Sequence, residues 1–180
     1  MDYSAYLKTA YATTDWVYED YGAGYDIVYS RISITLFGEI EEVRLVGDDA
    51  ADIVGNEYDN LMVGNQANNV LDGGFGIDTL IGGLGDDVYV VDDISDVITE
   101  QLNEGRDTII TTVDNYQLVE HVENLYLGVG VNNAQGNHLD NLILGNSLDN
   151  VIESQTGNDR IRAAEGNDTV LGGLGDDTYI

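Results

Sequence analysis

Two consecutive stretches, GGFGIDTLI (Gly73 to Ile81) and GGLGDDVYV (Gly82 to Val90), decide how this chain folds. Each places three glycines and an aspartate in its first six residues and ends on a short apolar-centred segment. The period runs backwards through GNQANNVLD from Gly64 and GNEYDNLMV from Gly55 without a gap. A second gapless run reads GNHLDNLIL from Gly136, GNSLDNVIE from Gly145, SQTGNDRIR from Ser154, AAEGNDTVL from Ala163 and GGLGDDTYI from Gly172. Self-similarity at a short fixed period marks a stacked architecture in which each repeat is one structural unit that buries its apolar side only against its neighbours.

The eighth position of the nine-residue unit is Met62, Leu71, Leu80, Tyr89, Ile143, Ile152, Ile161, Val170 or Tyr179, apolar every time. Its flanking positions include Asp72, Glu153, Arg160 and Arg162. One side chain in and two out is the alternation of a short β-strand. A helix is excluded, because nine residues is two and a half turns and the recurring glycines would break it. The chain is therefore expected to be all-β, a parallel β-solenoid built of nine-residue half-turns.

A longer period, nine times the short one, lies over it. Gly24, Asp26, Ile27 and Val28 align with Gly105, Asp107, Thr108 and Ile109, and Gly55, Asp59 and Asn60 align with Gly136, Asp140 and Asn141. Near the end the offset lengthens by one unit, since GGLGDD at Gly82 matches GGLGDD at Gly172, so one further nine-residue turn has been gained. A solenoid tolerates change by whole turns. The expected organisation is irregular coils with longer corners over 1–54, nine-residue repeats over 55–99, irregular strand-bearing coils over 100–135 and nine-residue repeats over 136–180, all in one continuous solenoid.

Composition restricts the partners. The 180 residues carry 34 Asp plus Glu against six Lys plus Arg, a formal charge of −28, yet 43% are hydrophobic. A disordered acidic tail would lack that apolar content. The charge belongs to a folded object whose self-repulsion something bound must offset, and metal cations suit. Nucleic acid and anionic membranes would be repelled, and no basic stripe reverses this. No apolar stretch is long enough to span a membrane, and Met1, Asp2, Tyr3 and Ser4 lack the layout of a signal peptide, so any address for export is expected outside this chain. With no cysteine, disulfides and thiolate metal sites are excluded. Twenty-two glycines and no proline indicate many tight turns in a structure that needs its backbone N–H groups for ladders.

The corner supplies the chemistry. Calcium takes six to eight oxygen ligands, and backbone carbonyls can provide many of them where the chain turns tightly enough. Glycine at positions one, two and four permits the turn, and aspartate at position six adds formal charge. The units GGFGIDTLI, GGLGDDVYV and GGLGDDTYI match G-G-x-G-x-D-x-U-x, and over most of its length the chain resembles the RTX, or haemolysin-type, calcium-binding repeat family. That resemblance implies a right-handed parallel β-roll, Ca²⁺ held between corners on one edge, and secretion by a bacterium. It also implies a repeat attached to proteases, lipases, alginate epimerases, adhesins or pore-forming toxins. The expected metal-binding residues are Gly73, Gly74, Gly76 and Asp78; Gly82, Gly83, Gly85 and Asp87; Asp96; Gly157 and Asp159; Gly166 and Asp168; and Gly172, Gly173, Gly175 and Asp177. If the corners of alternate repeats stack on one edge, Asp159 shares an ion with the corner of Asp177, and Asp78 with that of Asp96. Asn60, Asn69, Asn141 and Asn150 hold position six in the units that open each run. Their neutral amides predict weak or absent Ca²⁺ there, with side-chain amide ladders instead.

The remaining chemistry is plain. His121 and His138 stand in unrelated contexts and do not form a zinc pattern. Tyr89 and Tyr179 fall at the inward position, so the aromatic residues are read as packing. No HExxH, GxSxG, P-loop or cysteine-based constellation is present, and no catalytic residue is assigned. The expected function is that of a secreted, calcium-folded repeat module. The alternatives are an adhesin or surface-layer segment that self-associates or contacts glycan, and an accessory module of a larger secreted enzyme or toxin.

Overall fold

The computed structural model describes the backbone of residues 8–12, 16–19 and 24–180, and side chains from Gly24 onwards. Met1 to Ser4 and the side chain of Trp16 lie outside the described residues. The chain divides into two compact units, Met1–Thr99 and Glu100–Ile180.

Both units are parallel β-solenoids. In the first, β1 (Lys8–Ala12), β3 (Asp26–Ser30), β5 (Glu42–Leu45), β7 (Leu61–Val63), β9 (Thr79–Ile81) and β11 (Val97–Thr99) pair in that order. The alternate strands β2 (Trp16–Glu19), β4 (Ile34–Gly38), β6 (Ile53–Val54), β8 (Val70–Asp72) and β10 (Val88–Val91) form the second row. In the second unit β12 (Thr108–Thr111), β14 (Asn124–Leu127), β16 (Leu142–Leu144), β18 (Arg160–Arg162) and β20 (Thr178–Tyr179) make one row. The other is β13 (Tyr116–Gln117), β15 (Asn133–Gln135), β17 (Val151–Glu153) and β19 (Thr169–Leu171). Successive half-turns thus alternate between two sheets, and a full coil is two repeats.

Register makes this explicit. Met62 pairs with Leu80 and Leu80 with Ile98, each two repeats on, and Ile143 pairs with Ile161 in the same way. The irregular sections keep the parallel pairing at other spacings. Ile27 pairs with Glu42 and Thr108 with Asn124, closer in sequence than two full repeats, while Val43 pairs with Met62, one position further than two repeats. The longer corners expected there are thus only part of the account, since two of these coils are shorter than the regular ones. One clasp recurs at the long period: the Asp26 N–H donates to Glu41 Oε2 (2.8 Å), and the Asp107 N–H donates to Glu123 Oε2 (2.9 Å).

The core is a column of position-eight side chains. Met62, Leu71, Leu80, Tyr89, Ile143, Ile152 and Ile161 are buried, stacked in register with the equivalent residue of the next coil. The Tyr89 hydroxyl accepts from the Gly82 N–H at 2.8 Å, which satisfies a polar atom inside the column. Val170 is half-buried and Tyr179 is 59% exposed, against the expectation for Tyr179. Each inward residue is covered by the coils on both sides of it, and β20 pairs only with β18.

Candidate calcium-binding corners

Pairing of every second repeat sets the corners of alternate repeats one above another. In the first unit Asn60, Asp78 and Asp96 lie on one edge, with Asn69 and Asp87 on the other. In the second unit Asn141, Asp159 and Asp177 share an edge, opposite Asn150 and Asp168. The links are hydrogen bonds from backbone to side chain. The Asn60 N–H donates to Asp78 Oδ1 (2.8 Å) and the Asp78 N–H to Asp96 Oδ1 (3.0 Å). The Asn141 N–H donates to Asp159 Oδ1 (2.8 Å) and the Asp159 N–H to Asp177 Oδ1 (3.1 Å). Across on the other edges, Asp87 Oδ1 accepts from the Asn69 N–H (2.7 Å) and Asp168 Oδ1 from the Asn150 N–H (2.8 Å).

Each position-six carboxylate therefore spends one oxygen on the coil before it. The second oxygens of Asp78 and Asp159 are buried and have no hydrogen-bond partner, with both residues fully inaccessible to solvent. A buried carboxylate oxygen with no donor is costly unless a proton or a cation takes it. Burial pushes the Asp78 carboxyl up to about 7, against the lowering effect of the Asn60 N–H and with the charge of Asp96 adding to the rise. Burial likewise raises Asp159, opposed by the Asn141 N–H.

Backbone oxygens line the same gap. A Cβ on Gly74 would come within 2.7 Å of Asn56 O, and one on Gly76 within 2.7 Å of Tyr58 O, so carbonyls of one corner point at the glycines of the next. From the opposite side the carbonyls of Gly73 and Gly82 approach Gly55 and Gly64 too closely for any side chain there. In the second unit the Gly172 carbonyl, on the same edge, accepts from Ser154 Oγ at 2.8 Å. The result is a cradle of carbonyl and carboxylate oxygen that glycine keeps open, the hard, all-oxygen donor set that calcium prefers. The residues present fit that ion.

Corners come in two conformations. In the five repeats of the gapless runs whose position six is aspartate, positions two and four have positive φ, Gly74 at 76° and Gly76 at 125° among them, with Gln155 (73°) and Ala164 (78°) in the same region without being glycine. The corner of Asp96 differs, its second carboxylate oxygen accepting from the Asp93 N–H at 3.2 Å. Where position six is asparagine, positions two and four are absent from the positive-φ residues. The sequence shows variation at position six and at the corner glycines, but the expectation above did not link position six to positions two and four. In all nine units glycine at position four accompanies aspartate at six, and asparagine at two accompanies asparagine at six. That covariation within the repeat was the available signal. A second overlooked set is position five, where Asp59 Oδ1 accepts from the Ile77 N–H (2.8 Å) and Asp140 Oδ1 from the Asn158 N–H (2.7 Å). This ladder runs up the stack while the position-six ladder runs down. His138 Nδ1 lies 3.3 Å from Thr156 Oγ1, and His121 sits in a turn at φ 66°.

Residues 54–89 and 144–179 match the family model of the RTX calcium-binding nonapeptide repeat, in four copies. These stretches are RTX calcium-binding repeats. Both matched segments of the RTX repeat contain asparagine corners as well as aspartate ones, so the family pattern spans both conformations. No curated protein and no solved structure is similar enough to the chain to match it.

Proposed function

We propose that this chain is a calcium-dependent folding module of a secreted bacterial protein, without catalysis of its own. The observation that carries the reading is the pair of buried, unpartnered carboxylate oxygens on Asp78 and Asp159, each within a carbonyl-lined corner of a chain whose formal charge is −28. Without a cation, stacking aspartate upon aspartate every coil accumulates repulsion. With one, the same oxygens become ligands and neighbouring corners are drawn together, so binding free energy becomes folding free energy. The expected ligands are Asp78, Asp87, Asp96, Asp159, Asp168 and Asp177, with the glycine-corner carbonyls beside them. Secretion accords with the habit of the family and with the absence of cysteine. A calcium-poor cell interior would keep the aspartate-corner coils unfolded, and calcium-rich surroundings would fold them by mass action.

Far-ultraviolet circular dichroism decides the matter, recorded in chelator and in millimolar Ca²⁺. A largely unfolded spectrum in chelator that converts to β-structure on adding Ca²⁺, and not on adding Mg²⁺ at equal concentration, is the expected outcome. Identical folded spectra in chelator and in Ca²⁺ would overturn the reading.

A further inference from the structure

The asparagine corners are built to do without the ion. Position-six asparagine uses both ends of its amide. Asn60 Oδ1 accepts from the Asn56 N–H of its own corner (3.1 Å), while Asn60 Nδ2 donates to the Ile40 carbonyl of the coil before (2.8 Å). Position-two asparagine works beside it. Asn56 Oδ1 accepts from the Tyr58 N–H (2.9 Å), and its Nδ2 reaches the carbonyls of Gly38 (2.9 Å) and Ile40 (3.0 Å). Two amide nitrogens thus converge on the Ile40 oxygen.

The arrangement recurs in the second unit. Asn146 and Asn150 both donate to the Val131 carbonyl, at 2.7 and 3.1 Å, and Asn146 also donates to that of Gly128 at 2.8 Å. Asn137 spans the carbonyls of Val119 and Val122, each at 2.7 Å. An NH₂ group brings two partly positive hydrogens to carbonyl oxygens in the gap between coils, which is the electrostatic task a cation performs in the aspartate corners. It brings them covalently attached and at no dependence on solution calcium. Asn60, Asn69, Asn141 and Asn150 are buried, so these bonds are sheltered from competing water.

We propose that the asparagine pairs at positions two and six replace calcium with amide hydrogen bonds, making residues 55–72 and 136–153 metal-independent coils. On these the aspartate corners of 73–96 and 154–177 stack when calcium arrives. The order along the chain agrees, because the asparagine corners open each run of repeats and their backbone N–H groups are the donors that Asp78, Asp87, Asp159 and Asp168 receive. The proposal rests on the calcium-dependent reading above and adds which corners that dependence spares.

Hydrogen exchange read by mass spectrometry on the full chain, in chelator and in millimolar Ca²⁺, tests it. In chelator, peptides from 55–72 and 136–153 are expected to exchange at least about tenfold more slowly than those from 73–96 and 154–177, and in Ca²⁺ all four are protected. Uniform lack of protection in chelator, with protection everywhere in Ca²⁺, would overturn the metal-independent coils and leave the calcium reading standing. Equal protection with and without Ca²⁺ would overturn both. Asn60→Asp supplies the second arm. It exchanges an amide donor for an oxygen facing the Ile40 carbonyl, and protection of 55–72 in chelator should fall about tenfold. Unchanged protection in that variant would remove the amide from its assigned role.

Discussion

Replacing Gly76 by alanine separates two costs that the stack imposes on its corners, if Gly130→Ala is measured beside it. Both glycines have positive φ, 125° at Gly76 and 90° at Gly130. Holding a non-glycine residue in such a region costs about 1–3 kcal/mol, and the less flexible unfolded chain returns about 0.4–1 kcal/mol of that. Around Gly130 nothing lies within 4 Å of the added Cβ, so backbone strain is the whole effect and a loss of about 1–2 kcal/mol follows. At Gly76 the same Cβ stands 2.7 Å from Tyr58 O, 2.8 Å from Tyr58 C and 3.1 Å from Asp59 N, all of them backbone atoms of the corner stacked on it. Backbone cannot swing aside as a flexible side chain can. The two coils must separate, at a further cost of about 1–3 kcal/mol, for a total of about 2–5 kcal/mol. Urea unfolding in millimolar Ca²⁺, followed by far-ultraviolet circular dichroism, measures both variants on one scale. Calcium affinity provides a second readout, since separating the coils moves the Tyr58 carbonyl out of the gap. If Gly76→Ala is destabilised by no more than Gly130→Ala, within about 0.5 kcal/mol, the close stacking of corners is refuted.

Two further outcomes follow from the core and from a strand entrance. Ile143 is fully buried and stacks between Leu125 and Ile161, so Ile143→Ala should lose about 2–5 kcal/mol in the same unfolding assay, whereas its half-buried neighbour Leu142 should lose less as alanine. Equal losses at the two positions would contradict the inward placement of position eight. Asp114 Oδ1 accepts from the backbone N–H groups of Asn133 (2.7 Å) and Asn132 (2.8 Å), and these bonds hold its carboxyl below the usual aspartate value. A depressed folded value means that the stabilisation is complete above the unfolded-state pKa and is lost as pH falls through the folded one. Carboxyl chemical shifts of the calcium-loaded protein should therefore show Asp114 titrating below 3.8, and a midpoint above that would show that the two bonds do not form.

Much of this protein is legible from its sequence. Nine-residue spacing with an apolar eighth position specifies short strands that turn one side chain inward, because alternation along a strand is local and needs no partner to be recognised. Residues Met62 to Tyr89 and Ile143 to Ile161 occupy the column that this pattern assigns. Tyr179 carries the same pattern and is exposed, because burial depends on a covering coil as well as on the period. The glycine and aspartate corners, and the chemistry of calcium, are likewise readable from residue types and spacing. Stacking of alternate repeats entered the sequence reading only as a condition for sharing ions.

What the tertiary structure decided is how oxygens and N–H groups are divided between coils. Asp78 gives one carboxylate oxygen to Asn60 and keeps the other free for an ion, a split that depends on a donor two repeats away and therefore on closure of the coil. Gln155 and Ala164 adopt the positive φ that Gly74, Gly83 and Gly173 take at position two, against their local preference. Asparagine at position six predicts weak or absent Ca²⁺ and an amide ladder, but not which groups the amide meets. In the stack its amide meets both an N–H from its own corner and a carbonyl from the coil before, the contacts on which the proposed replacement of the ion rests. Period and strand placement are properties of consecutive residues, so the sequence alone determined them. Ligand or clamp is a property of neighbours far apart in sequence, and only stacking brings those together.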